Sequence, residues 1–319
     1  MKKIAYLASA VLAALGFSSA AKAEITASGF AGVTAINGSA ATTTIYTGGG
    51  VSFAMSTSTA GGMTVSLDAG VSQDTNDDNG TDGRSVTGLD NVTFASGDFS
   101  LSVGNAVYLS GSETGGVGGV AGAAVDDGGY TQTGIATGAP TEGMGFSAST
   151  AVGGASVTLS YLLDYTNTTT GGVDSVRNAA ATSGANTGTG IAVSMPLGAM
   201  TLNLGYASTV GTTADTHTGG TISMALGGGT ISAGYASTDQ TTDASATSLA
   251  YSGSLDADTT YAIGYATGET GALSSQRMEA RIARSLGGGV SVFADIQNLS
   301  GSGTSGTNMA FGTSISFTE

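Results

Sequence analysis

From Glu24 to Phe317, apolar and small polar residues alternate in stretch after stretch. Met63, Val65, Leu67, Ala69 and Val71 interleave with Thr64, Ser66, Asp68, Gly70 and Ser72. Near the end, Met309, Phe311, Ile315 and Phe317 interleave with Asn308, Ala310, Ser314 and Ser316. Successive side chains of a strand point to opposite faces, so this period of two predicts strands with one apolar face. Sixteen such segments fall near 25–36, 45–57, 62–72, 85–95, 98–108, 143–152, 155–165, 188–198, 199–208, 218–227, 230–238, 245–255, 258–267, 275–286, 289–299 and 306–317. Most hold about ten residues, the length at which a tilted strand crosses a bilayer.

The connections carry a second rhythm. Short, mostly glycine-bearing turns at 57–61, 96–97, 153–154, 198–199, 227–229, 256–257 and 287–289 alternate with longer polar stretches. The long ones centre on 37–44, 73–84, 109–142, 166–187, 209–217, 239–244, 268–274 and 300–305, and the third is the longest. Short turns at one end and long loops at the other predict an all-β fold, a transmembrane antiparallel β-barrel of about sixteen strands. The short turns are then periplasmic, the long loops outer, and an even strand count leaves both termini on the periplasmic side. Tyr165, Tyr206, Tyr235 and Tyr265 fall on the apolar phase near the outer strand ends, and Phe94, Phe99 and Phe317 near the inner ends. Two aromatic belts at the membrane interfaces would have this placement.

The first 23 residues are set apart as a signal peptide. Lys2 and Lys3 precede an apolar run from Ile4 to Phe17, and Ala21-Lys22-Ala23 fits a small-x-small cleavage site. The run is too short to span a membrane as a helix, and no later stretch reaches the roughly twenty apolar residues that a spanning helix needs. Residues 24–319 therefore form one exported barrel domain, in the outer membrane of a Gram-negative bacterium. With Cys at 0, closure of strand pairing into a ring is one way for such a chain to hold together. Pro at 2 suits a chain of paired strands, since Pro cannot donate to a ladder.

Charge narrows the partners. The mature chain keeps five arginines as its basic residues against 23 acids, a net charge of −18. Nucleic acid is excluded as a partner by such a surface, and inorganic cations are favoured. Enzyme chemistry finds little support. Without Cys, and with His217 alone in a predicted loop, no Ser-His or Cys-His pair has a context.

Three groups of residues are candidate sites. The longest connection carries Glu113, Asp126 and Asp127. If it folds inward, these carboxylates stand near the narrowest point and make the pore prefer cations. Arg277, Glu279 and Arg281 share one phase of the fourteenth segment, with Met278, Ala280 and Ile282 on the other. A charged ladder on the lumen side and an apolar stripe on the lipid side follow. Asp295 is a further lumen-phase acid, and Tyr46, Tyr108 and Phe293 are lumen-phase aromatics. Asp74, Asn76, Asp78 and Asp82 crowd the second long connection at a spacing close to a calcium loop, though Gly80 is one place late and the closing Glu is missing. No cofactor is expected beyond such a structural calcium.

Several segments resemble a known family. Glu24 to Phe30 is similar to the opening strand of general bacterial porins. Asn91 to Gly104 resembles their fourth strand, short turn and fifth strand, and Leu286-Gly287-Gly288-Gly289 resembles the last short turn. The nearest type is the alphaproteobacterial sixteen-stranded trimeric porin. The resemblance implies a homotrimer in outer-membrane lipid, passing small hydrophilic solutes by diffusion, with the third long loop folded in to narrow the channel. Porins of this kind end on an aromatic residue, whereas Thr318 and Glu319 follow Phe317 here. The expectation is a cation-preferring porin. The alternative is a secreted all-β adhesin or surface-layer protein, since a soluble sandwich also alternates apolar and polar residues.

Overall fold

The structure, a computed structural model, describes residues 23–37, 43–74, 83–87, 91–111, 142–164, 186–211, 215–239, 242–301 and 305–318. Seventeen strands follow one another: β1 Ala23–Asn37, β2 Thr43–Ser58, β3 Thr64–Asp74, β4 Gly83–Thr87, β5 Asn91–Ser96, β6 Phe99–Tyr108, β7 Glu142–Val152, β8 Ala155–Asp164 and β9 Thr187–Leu197, then β10 Met200–Val210, β11 Thr216–Leu226, β12 Gly229–Asp239, β13 Ala244–Ser254, β14 Thr259–Thr270, β15 Leu273–Gly287, β16 Val290–Gly301 and β17 Gly306–Thr318. Every pairing is antiparallel, and β1 bonds to both β2 and β17, so the sheet closes on itself. β4 and β5 lie against successive stretches of β3, with Val71 opposite Val86 and Leu67 opposite Val92. They occupy one place in a ring of sixteen. Closure leaves no bare edge, which removes the sandwich alternative.

The molecule is inside out relative to a water-soluble protein. Phe311, Phe317, Leu249 and Ile263 are each more than half exposed, at 59%, 53%, 52% and 51%. Most of the buried side chains are instead small or polar, among them Thr34, Gln297, Arg277 and Asp295, with Leu109, Leu162 and Phe293 as larger exceptions. Apolar clusters on the inner face are limited to a few residues, such as Val107, Leu109, Leu162 and Ala207. A continuous apolar exterior around a polar interior is stable only where lipid covers the outside. Tyr206, Tyr235 and Tyr265 stand exposed on this exterior toward one strand end, with Phe99 and Phe317 toward the other, as two belts require.

The short-turn end is built by tight hairpins. Gly153 and Gly154 adopt φ of 60° and 85° between β7 and β8, the doubly positive pair that a type I′ turn needs. Two expectations are corrected here. The predicted long connection at 268–274 is a two-residue turn, because the ladder runs on to Thr270 opposite Leu273 and Gly271 takes φ of 57°. Tyr108 faces outward, not into the lumen. A register shift between Gly104 and Val107 inserts one extra residue into β6 and flips the phase beyond it, leaving Tyr108 53% exposed while Val107 and Leu109 turn inward.

Candidate functional site

The lumen wall is uneven around the ring. From β8 to β14 its inward residues are mostly Gly, Ala, Ser and Thr. One registered row runs Ser160, Gly190, Ala207, His217, Thr238 and Ala244. His217 thus belongs to β11 and faces inward, buried, with Nδ1 3.3 Å from Thr238 Oγ1. The expectation of a loop residue is overturned because β11 begins at Thr216.

Among the described residues, inward charge is concentrated on β15 and β16. Arg277, Glu279 and Arg281 do share the inward face, with Met278 and Ile282 exposed on the other. Cross-strand register sets Arg281 opposite Asp295 and Glu279 opposite Gln297. Arg277 Nε lies 3.2 Å from Glu279 Oε1, Gln297 Nε2 donates to the same oxygen at 2.7 Å, and Asn308 Nδ2 donates to Gln297 Oε1 at 3.4 Å. Arg281 Nε lies 3.7 Å from Asp295 Oδ1, and its guanidinium carbon sits 4.8 Å from the centre of the Phe293 ring. Two arginines and two carboxylates, nearly all buried, form two neighbouring ion pairs, the second without a hydrogen bond to either Asp295 oxygen among the described residues. Outside the lumen, Arg284 binds Asp256 at 3.7 Å and Thr259 Oγ1 at 3.1 Å, which ties β15 to the turn between β13 and β14.

The third long connection begins inside the ring. After β6, the Ser110 backbone N–H donates to Ser160 Oγ on β8 at 2.6 Å. Leu109 packs against Leu162 and lies over Gly188. A Cβ at Gly190 would strike the Ser110 carbonyl, and one at Gly188 would meet Leu109 at 3.2 Å. Leu162, Ser160, Gly188 and Gly190 all belong to the inward phase, opposite to the exposed Leu159, Leu163 and Ile191. Leu109–Gly111 therefore run along the inner wall of β8, β9 and β10. In the ring, this seat lies about half a turn from the charged strands β15 and β16.

Glu113, Asp126 and Asp127 lie outside the described residues. So do Asn76, Asp78 and Asp82, along with the side chains of Asp74 and Tyr46. Among the described residues no group of three metal-binding side chains comes together. The residues that sequence reasoning missed are Ser160, Gly188, Gly190 and Gln297. Gly at 188 and 190 was the available signal, since Gly repeated on one face of a strand marks close approach of another backbone.

The closed ring, the apolar exterior and the polar, partly charged interior define a β-barrel of the outer-membrane type. Solved structures with this fold are outer-membrane proteins. The anion-selective porin of Comamonas acidovorans covers 93% of this chain and 100% of its own, at 14% identity and a TM-score of 0.65. Salmonella typhi OmpF in complex with daunomycin covers 93% and 98%, at 12% identity and a TM-score of 0.69. A mutant of the Rh. blastica porin covers 92% and 100%, at 15% identity and a TM-score of 0.63. No family model and no curated protein sequence matches the chain. The likeness is one of fold.

Proposed function

We propose that this chain is a porin of a Gram-negative outer membrane, a water-filled channel through which small hydrophilic solutes diffuse passively. The observation that carries the reading is the inward start of the third long connection. The wall of β8–β10 is pared to Gly, Ala and Ser where Leu109–Gly111 lie against it. A chain seated there narrows the lumen opposite the Arg277–Glu279–Arg281 ladder, and the space left between them is the passage. Whole-length likeness to porin structures supports the same reading.

The channel prefers cations. The described ladder is balanced, two arginines against Glu279 and Asp295, so the preference rests on the 18-charge excess of acid and on Glu113, Asp126 and Asp127, the carboxylates that the third long connection carries in sequence. Carboxylates around a constriction favour cations. The chain works as a homotrimer in outer-membrane lipid, with no enzymatic step. Any calcium held by Asp74, Asn76, Asp78 and Asp82 braces an outer loop.

Liposome swelling tests the function. Vesicles carrying the purified barrel should swell in isotonic arabinose, more slowly in glucose, and slowest in a disaccharide. Swelling no faster than that of protein-free vesicles, from protein shown to be folded, overturns the porin reading.

A further inference from the structure

Inside the ring, at the short-turn end, a recess of about 790 Å³ lies against β11 to β15. Its size is that of sites for small organic ligands, roughly 300–1,000 Å³. One registered row forms its floor: Thr230 opposite Ser252, Ser252 opposite Ala262, and Ala262 opposite Arg281. Ser254 and Thr260 pair in the next row toward the turns. Thr230, Ser252, Ser254 and Thr260 are all exposed, so their hydroxyls are open to a visitor. The lining presents hydroxyls, the methyls of Ala225 and Ala262, Leu226 and Tyr261 beside the glycine turn, and one charged side chain, Arg281.

Arg281 is steadied on two sides, by a 3.7 Å ion pair from Nε to Asp295 and by the Phe293 ring, whose centre lies 4.8 Å from its guanidinium carbon. Phe293 is fixed in turn, since its ring lies over Gly312, where any Cβ would collide with it. Arg281 borders the recess, and its ion pair engages Nε and neither terminal nitrogen. A planar guanidinium so oriented matches a carboxylate with two parallel hydrogen bonds, at little further cost in side-chain order.

We propose that this recess is a subsite for a small polyhydroxylated carboxylate, a sugar acid, with Arg281 holding the carboxylate and Thr230, Ser252 and Thr260 meeting its hydroxyls. The inference rests on the channel reading and deepens it. A barrel that favours cations gains here a local station for an anionic solute. Because Arg281 already shares its charge with Asp295, the station is weak and releases what it binds, as passage requires.

Single-channel recording tests this with glucuronate as the probe and glucose as the uncharged control, each added from the short-turn side. Glucuronate should reduce the current saturably, with an affinity at least roughly tenfold above that for glucose, the scale of a hydrogen bond to a charged group. Arg281→Gln should abolish that difference. Thr260→Val should weaken glucuronate a few-fold. Equal response to the two sugars, or an unchanged preference in Arg281→Gln, overturns the subsite. If Arg281→Gln yields no steps, Thr260→Val and Ser252→Ala decide, and glucuronate binding unaltered in both overturns it. Absence of steps in the unsubstituted protein overturns the channel reading, and the subsite with it.

Discussion

Two inward contacts illustrate what a single residue does in this barrel. Glu279 receives both Arg277 and Gln297 on one buried oxygen. Its replacement by Ala leaves the Arg277 guanidinium buried without its carboxylate, and breaking a buried pair from one side costs about 3–5 kcal/mol. Glu279→Ala should therefore lower the urea midpoint of the detergent-solubilised barrel markedly, while the double variant Glu279→Gln with Arg277→Met recovers much of the loss. Ser160 is the second case. Its hydroxyl accepts the Ser110 N–H at 2.6 Å, and an unsatisfied buried donor costs about 1–3 kcal/mol. Ser160→Ala should loosen the start of the inward connection and raise the open-channel current noise, with the strands intact by circular dichroism. Much of this scale was legible beforehand. Arg277, Glu279 and Arg281 were readable as an inward set because Met278, Ala280 and Ile282 filled the other phase. Their partners were not, since which strand lies alongside, and in which register, is decided by closure of the ring and not by local pattern.

At the scale of elements, the alternation marked each strand to within a few residues because lipid outside and water inside enforce it along the whole span. It failed where the ladder departs from regularity. The one extra residue in β6 reversed the phase at Tyr108, and Thr270 and Leu273 extended a hairpin that composition alone marks as a loop. The turn after β13 carries its own prediction. Asp256 accepts from the Asp258 backbone N–H at 2.9 Å and the Thr259 hydroxyl at 3.1 Å. These bonds, chiefly that from the Asp258 backbone, with Arg284 helping, hold its carboxyl below the usual carboxylate value. A carboxyl depressed in the folded state stabilises above its unfolded value of about 3.9, and the contribution is lost as pH falls through the folded value. The group is exposed, so salt screens the effect. Thermal unfolding of Asp256→Asn should fall below that of the unsubstituted protein at pH 7, and the two should converge near pH 2. A gap that persists there contradicts the assignment.

The whole molecule is a ring whose two sides are unlike. One side, β8 to β10, is stripped of bulk and receives Leu109–Gly111. The other, β15 and β16, holds the two neighbouring ion pairs. A sandwich would need its large residues interlocked within, and here they face outward (Phe311 and Leu249 among them). The most direct test of the account is single-channel recording of the purified protein in a planar bilayer under a potassium chloride gradient. Discrete conductance steps are expected, with a reversal potential displaced toward that of potassium and a smaller displacement once Asp126 and Asp127 are both changed to Asn. No steps from folded protein would contradict the channel, and steps whose reversal potential the double variant leaves unmoved would contradict the acidic constriction.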